Sequence, residues 1–281
     1  MYAQPPNTRL HEWSHLHHHN QLQLNSLHAF YRVHAYPRHS HDYYVIALVD
    51  QGVQSFLCAG NRFVTPANGL ILLNPAETHT GEPVDENGFS YRAFYPTAEH
   101  MATAGYELTG SPRPAPHFST PRADDRELAH ALRALHMALT GGASDLECES
   151  RLIWSLVQLV KRYGDRHPAE LRAGNERAAI EKARRYIHDQ YAQAISLSEL
   201  ASHVHLSRYY LLRAFRNEVG MPPHAYLESI RIQQAQTLIA KGAPLSQVAH
   251  TVGYNSQSHF TRRFKQIIGV TPGVYAEQTQ A

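Results

Sequence analysis

Residues 197–226 read LSELASHVHLSRYYLLRAFRNEVGMPPHAY, and residues 245–275 read LSQVAHTVGYNSQSHFTRRFKQIIGVTPGVY. The second stretch repeats the first, with one residue inserted at the turn. Ala201 corresponds to Ala249 and Val204 to Val252. Past the turn, Ser207 corresponds to Ser256, Leu211 to Phe260, Arg213 to Arg262, Phe215 to Phe264, Gly220 to Gly269, Pro223 to Pro272 and Tyr226 to Tyr275. Self-similarity of this kind outranks any single motif as a guide to architecture. Each copy predicts a short helix, a tight turn and a second helix. Ser207 and Ser256 are good N-cap residues for the second helix, because a hydroxyl can accept from the orphan amides of the first turn. Leu211, Phe215 and Val219 recur at helical spacing on one face, as do Phe260, Phe264 and Ile268. Gly220 and Gly269 stand where a left-handed C-terminal residue belongs, with proline shortly beyond, and Gly253 suits the sharp turn of the second copy.

The opposite face of each second helix is polar. Copy one offers Arg208, Tyr209, Leu212, Arg213 and Arg216; copy two offers Gln257, Ser258, Thr261, Arg262 and Lys265, at the equivalent positions. A solvated helix face explains one such row, but two matched rows in a basic segment ask for a common partner. Helix, three-to-four-residue turn and helix is the arrangement whose second helix enters the major groove of double-stranded DNA. Arg and Gln can make paired hydrogen bonds to guanine and adenine edges, and Thr can meet a thymine methyl. Arg216 and Lys265, one turn further on, suit backbone phosphates. Between the copies, HAYLESIRIQQAQTLIAKG reads as an amphipathic helix of roughly 17 residues, or about 25 Å. Such a rod can hold two reading heads apart on one body.

Charge supports this division. The chain has 281 residues and a formal net charge of +2. Residues 1–176 carry 14 Lys and Arg against 18 Asp and Glu, a net −4, whereas residues 177–281 carry 12 against 6, a net +6. A basic third attached to an acidic body points to a polyanionic partner for the basic part. Only Cys58 and Cys148 occur, which argues against a disulfide scaffold and fits a reducing compartment. The polar start, MYAQPPNTRLHEW, has no secretory pattern. No apolar run reaches the roughly 18 residues of a membrane helix. The expectation is a soluble, cytoplasmic protein with no membrane contact.

Outward from the repeats, the N-terminal half changes period. YYVIALV, VQSFLC, GLILLN and FSYRAFY are short β runs separated by DQG, AGN, PANG and DENG. Closely spaced strands with turn chemistry between them favour a barrel or sandwich over alternating strands and helices. From about Asp124 the helical period returns in DDRELAHALRALHMALT and LECESRLIWSLVQLVKRYG. The second carries Leu152, Leu156, Leu159 and Val160 in one stripe, with Trp154 off that line. These read as an antiparallel helix pair, serving either as core or as a homodimer seam. The resulting division is an arm at 1–24, a β domain at 25–120, a helix pair at 121–163, a linker at 164–176 and a helical domain at 177–281. Its helix-turn-helix units span 197–218 and 245–268. The fold class is α+β with two domains.

With these motifs in view, residues 176–278 resemble the AraC/XylS family of bacterial transcription regulators. The closest stretches are LSELASHVHLSRYYLLRAF, ESIRIQQAQTLI and VAHTVGYNSQSHFTRRFKQIIGVTPGVY. The resemblance implies seven helices carrying two helix-turn-helix motifs. Its base-contacting positions fall on Tyr209, Leu212 and Arg213, and on Gln257, Ser258, Thr261 and Arg262. Leu212 departs from the polar residue often found there. Ser207, Arg208, Arg216, Ser256 and Lys265 complete the DNA-facing set. The N-terminal half is similar to the cupin-like sensing domains of that family, through RHSHDYYVIALVDQG, GNRFVTPANGLILLNPAETHTGEP and GFSYRAFYP. A regulator of this kind binds promoter DNA as activator or repressor, answers to a small-molecule effector, acts as a homodimer and can contact RNA polymerase.

His39 and His41 alternate as on one strand, which points both to one side, and His79 can join them at a barrel mouth. Three histidines can hold a metal, but catalytic cupins add a Glu soon after the His pair, and DYYVIALV has none. The preferred expectation is therefore no metal, no cofactor and no catalytic residue. His39, His41, Tyr43, His79, Tyr91 and Arg92 serve instead as polar anchors for a small ligand. The alternatives are a cupin-type metalloenzyme with a DNA-binding appendage, and a regulator that needs no ligand.

Overall fold

A computed structural model describes residues 11–165 and 176–279. Within them the chain forms two compact units. One takes in the residues up to His100 together with His117–Arg133; the other comprises Met101–Pro116 and the chain from Ala134 onward. The linker expected at 164–176 lies almost wholly outside the described residues.

The first unit is built from nine strands: β1 (Trp13–His19), β2 (Leu24–Tyr31), β3 (Tyr36–His39), β4 (Val45–Cys58), β5 (Asn61–Pro66), β6 (Gly69–Leu73), β7 (His79–Pro83), β8 (Phe89–Tyr95) and β9 (Arg122–Asp124). They hydrogen-bond in the order β1-β2-β8-β4-β6-β9, with β5 and β7 also paired to β4 and β3 paired to β7. The two runs expected on either side of DQG are one strand. β4 continues through that segment because a register shift between Val49 and Gln51 against β8 absorbs Asp50 as an extra residue, and Gly52 takes a φ of 74°. Such a bulge bends a strand without ending it. Its first half pairs with β6 and β8, its second with β5 and β7, so one strand serves two sheet layers. The AGN turn is a two-residue hairpin in which both Ala59 and Gly60 have positive φ, matching the twist of the flanking strands.

The arm expected at 1–24 is corrected in part. Residues 13–19 are strand β1, paired antiparallel along its whole length with β2, from Trp13 against Phe30 to His19 against Leu24. Its alternation of histidine with Trp13, Ser14 and Leu16 does not look like a strand from composition, but backbone pairing asks only for an extended chain beside an open edge.

The second unit is helical. It takes most of α1 (Ala98–Thr109) and the end of α2 (Arg126–Thr140), followed by α3 (Asp145–Tyr163). Seven helices follow: α4 (Arg177–Gln190), α5 (Leu197–Val204), α6 (Arg208–Val219), α7 (Pro223–Ala240), α8 (Leu245–Thr251), α9 (Gln257–Ile268) and α10 (Pro272–Thr279). Helix α1 falls inside the stretch expected to be wholly β, although Met101, Ala104, Gly105 and Leu108, all buried, already stand at helical spacing. Helix α3 does not form a separate helix pair. It packs against α5, α6 and α7. Its buried residues include the expected stripe and also Glu147, Glu149, Ser150, Ser155 and Gln158, so it is enclosed on its polar side as well.

The two repeats fold as the sequence predicts. Ser207 and Ser256 cap α6 and α9, accepting from the Tyr210 and His259 amides at 3.3 and 3.2 Å. Gly220 and Gly269 end them in the left-handed region. Leu211, Phe215, Phe260 and Phe264 are fully buried, while Val219 and Ile268 are half-buried. The turn of the first motif uses His205 in the left-handed region where the second uses Gly253. The long helix α7 is not amphipathic as expected: Leu227, Glu228, Ile230, Arg231, Ile232, Ala235 and Ile239 are all buried. Ile232, Ala235 and Ile239 share a core with Val248, Val252, Phe260 and Phe264 of the second motif, so a helix serving both motifs has little solvent face left.

Candidate functional site

Between the sheet layers of the β unit lies a cavity of about 300 Å3. β3 and β7 contribute Tyr36, His39, His79 and Thr80; β4 contributes Val45, Ala47, Gln54 and Phe56; β6 contributes Ile71 and Leu73; β8 contributes Tyr91 and Tyr95. His41 and Tyr43 reach it from the segment between β3 and β4. Five of the six residues expected at a ligand site therefore line one space. Arg92 does not. It neighbours Tyr91 on β8, and successive side chains of a strand face opposite ways. Arg92 instead pairs with Asp50, which also holds Arg133 of α2 at 3.0 Å and lies 3.7 Å from His28. The bulge that re-aims β4 thus supplies the carboxylate of this cluster.

Sequence reasoning missed Tyr36, Gln54 and Tyr95. Tyr95 was legible, since it follows Tyr91 by four residues and shares its face. Tyr36 was not, because the pairing of β3 with β7 shifts register between Tyr36 and His39. The phenols are linked: Tyr36 Oη donates to Tyr31 Oη at 3.1 Å and lies 3.0 Å from Tyr91 Oη. Burial pushes the hydroxyls of Tyr36, Tyr91 and Tyr95 well above the ordinary phenol value, so they remain protonated at neutral pH.

His39, His41 and His79 come together as expected, though not by alternation on one strand, since His41 lies beyond the end of β3. One ring nitrogen from each lies within 4.8 Å of the others. Nδ1 of His39 is 2.7 Å from the Pro37 carbonyl and Nδ1 of His79 is 2.9 Å from the Glu77 carbonyl. A carbonyl only accepts, so each Nδ1 carries a proton and donates it, which leaves Nε2 of both rings as the nitrogen available to the cavity. Burial, followed by the neighbouring imidazoles, holds His41 below the ordinary value; burial lowers His79 as well. Three clustered imidazoles, two of them oriented through Nδ1 by backbone carbonyls, suit either hydrogen bonding to a ligand or coordination of a cation.

The two recognition helices stand differently. On α9, Ser256, Gln257, Ser258, Arg262 and Lys265 are exposed and Thr261 is half-exposed. Arg262 donates from Nη2 to the Gly141 carbonyl at 2.8 Å. On α6, Arg213 lies over the Tyr210 ring at 5.1 Å and Arg216 over Trp154 at 5.7 Å. Arg208 Nε meets Glu107 Oε1 at 2.7 Å. Tyr209 and Leu212 are only 3% exposed, so the expectation that both face DNA is not met in this conformation. Tyr209 meets Glu107 of α1 and Trp154 and Gln158 of α3, partners that lie far from it in the sequence.

A cupin-like β unit with a lined cavity, joined in one chain to a basic helical unit with two helix-turn-helix motifs, defines a two-motif DNA-binding regulator. The comparisons agree. The AraC-like ligand binding domain family matches residues 16–156, and a helix-turn-helix domain family matches residues 200–278. The chain is 31% identical over 225 residues to the uncharacterized HTH-type transcriptional regulator YbfI of Bacillus subtilis, covering 80% of this chain and 81% of that one. It is 23% identical over 243 residues to the HTH-type transcriptional activator RhaS of Klebsiella pneumoniae, covering 85% and 86%. Among solved structures, the C-terminal domain of AraT from Geobacillus stearothermophilus matches at 29% identity and a TM-score of 0.36, over 37% of this chain and 88% of that one. The chain belongs to the AraC-like family of helix-turn-helix transcription regulators, and its partner is DNA. Among the described residues no helix is long and apolar enough to cross a membrane.

Proposed function

We propose that the protein regulates transcription by sequence-specific promoter binding under the control of a small, uncharged effector held in the β-unit cavity. The observation that carries this is the lining. Four tyrosines, three histidines, Gln54 and Thr80 offer hydrogen bonds, aliphatic walls fill the rest, and none of the lining residues is Lys, Arg, Asp or Glu. A charged ligand there would lose its hydration without a counter-charge. A neutral molecule bearing hydroxyl or carbonyl groups would keep its hydrogen bonds. DNA contact falls to the exposed row of α9 and to Arg208, Arg213 and Arg216 of α6, in a homodimer able to touch RNA polymerase. Effector control requires only that the ligand bind two states of the protein unequally. The test is selection of bound duplexes from genomic fragments by the full chain, followed by affinity measurement with neutral polyols and phenols. Fragments bound without sequence preference would overturn the reading.

A second reading is favoured by the His39, His41 and His79 cluster. The donor set fits a divalent transition ion, three imidazole ligands leaving a coordination position toward the cavity. Such an ion would hold an oxygen atom of the effector, while the tyrosines orient the rest of it. Chelator-treated protein titrated with Zn2+ would take up one equivalent, and His79→Ala would abolish that uptake. No uptake by the unmodified chain would leave the histidines as hydrogen-bonding anchors.

A further inference from the structure

The first recognition helix cannot read DNA in the conformation described, and the residues that prevent it belong to the same compact unit. Helix α6 presents Tyr209 and Leu212 as the groove-facing pair of its row. Both are 3% exposed, and α6 packs against α3. Gln158 of α3 donates to the Tyr209 hydroxyl at 3.3 Å, and the Trp154 ring lies 5.6 Å from the Tyr209 ring. At the start of α6, Glu107 of α1 is 5% exposed. Its Oε2 accepts from the Tyr209 amide at 3.1 Å and its Oε1 from Arg208 Nε at 2.7 Å.

We infer that α1 and α3 act as an internal clamp on the first helix-turn-helix motif, with the Glu107 carboxylate occupying the place of a DNA phosphate. A helix N-terminal amide and a guanidinium are the two kinds of donor that commonly hold a backbone phosphate. Both converge here on one buried carboxylate. The Tyr209 side chain beyond it, which a groove would receive, lies against Trp154 and Gln158. A side chain buried against α3 cannot at the same time touch a base edge. Docking of α6 on α3 and reading of DNA by α6 are therefore mutually exclusive states, and whatever stabilises one weakens the other by the same free energy. The reading row of the second motif is exposed, so it can engage DNA first.

This inference rests on the DNA-binding reading, and the experiment separates the two. Full-length protein and its Glu107→Gln variant are titrated with a fluorescein-labelled, mixed-sequence duplex at fixed salt. In a Trp13→Phe background Trp154 is the sole indole, since the chain has two tryptophans. Release of the clamp predicts that Glu107→Gln tightens binding about fivefold or more, at the low end of coupling between linked sites. It also predicts that saturating duplex shifts Trp154 emission to the red as the ring leaves Tyr209 and Arg216. A folded Glu107→Gln protein that binds no tighter than the parent overturns the clamp. Unchanged Trp154 emission at saturation overturns it too, even if the variant fails to fold. Absence of duplex binding by both proteins at every salt concentration overturns the DNA-binding reading and the clamp with it.

Discussion

Arg263 on the second recognition helix and Glu147 on α3 form an ion pair in which the Glu147 side chain is 3% exposed and the Arg263 side chain 21%. Arg263 Nε also lies 3.2 Å from Glu228 on α7. Burial works against the charged form of Glu147, but Arg263, His224 and Arg151 more than offset it, and the carboxyl sits below its ordinary range. Three helices thus meet on one guanidinium. Removing a partner from such a pair leaves a buried charge uncompensated, which costs far more than the net worth of the pair. Glu147→Ala is expected to destabilise the helical unit by about 3 kcal/mol, read as a lower urea midpoint. A midpoint within experimental error of the parent's would show that water reaches this cluster freely.

His224 sits in the same cluster, and its imidazole Nδ1 is buried without a hydrogen-bond partner. Burial pushes it down to about 4 from an ordinary 6.5, with Glu147 pulling the other way. The unfolded chain therefore binds a proton that the folded chain refuses between those two values. The stabilising contribution is complete above pH 6.5 and is lost as pH falls toward 4. The difference corresponds to about 3 kcal/mol. Urea midpoints measured across this window should fall with acid in the parent, and distinctly less in His224→Gln. Parallel acid profiles for the two would remove His224 from the account.

Gly253 holds the turn of the second motif at a φ of 87°, and an added Cβ would lie 2.7 Å from the Ala192 carbonyl oxygen and 2.9 Å from Arg231 Nη2. Gly242, at a φ of 83°, has open space at the same point. Gly242→Ala should cost only the left-handed strain of about 1–2 kcal/mol. Gly253→Ala should cost clearly more, because a carbonyl and an arginine must move as well. Equal losses of thermal stability in the two variants would mean that the turn relaxes around the methyl group.

On the exposed row of α9, Arg262→Ala is expected to weaken binding to a selected site by about 1–3 kcal/mol and to relax preference at one base pair. Lys265→Ala should weaken all duplexes alike and reduce the slope of log affinity against log salt by about one. Anisotropy titrations over a salt series separate the two effects. A selected site bound equally well by Arg262→Ala would shift the reading face to other residues of the helix.

The repeats made the helical domain legible in the sequence. N-cap serines, left-handed glycines and i, i+4 aromatic pairs act within a few residues of one another, so their spacing alone sets α5, α6, α8 and α9. Turn chemistry likewise marked the hairpins of the β unit, and Tyr91, expected among the ligand anchors, lines the cavity. Tertiary structure decided the rest, because it depends on what an element meets. DQG reads as a turn until β8 absorbs Asp50 as a bulge. Arg92 reads as a ligand anchor until the strand's alternation turns it toward Asp50. Glu107, Glu147 and Gln158 are polar residues that partners distant in the chain enclose. Helical and extended periodicity is set by local backbone geometry, whereas burial of a charge is settled by a partner, and sequence spacing carries no record of which partner that is.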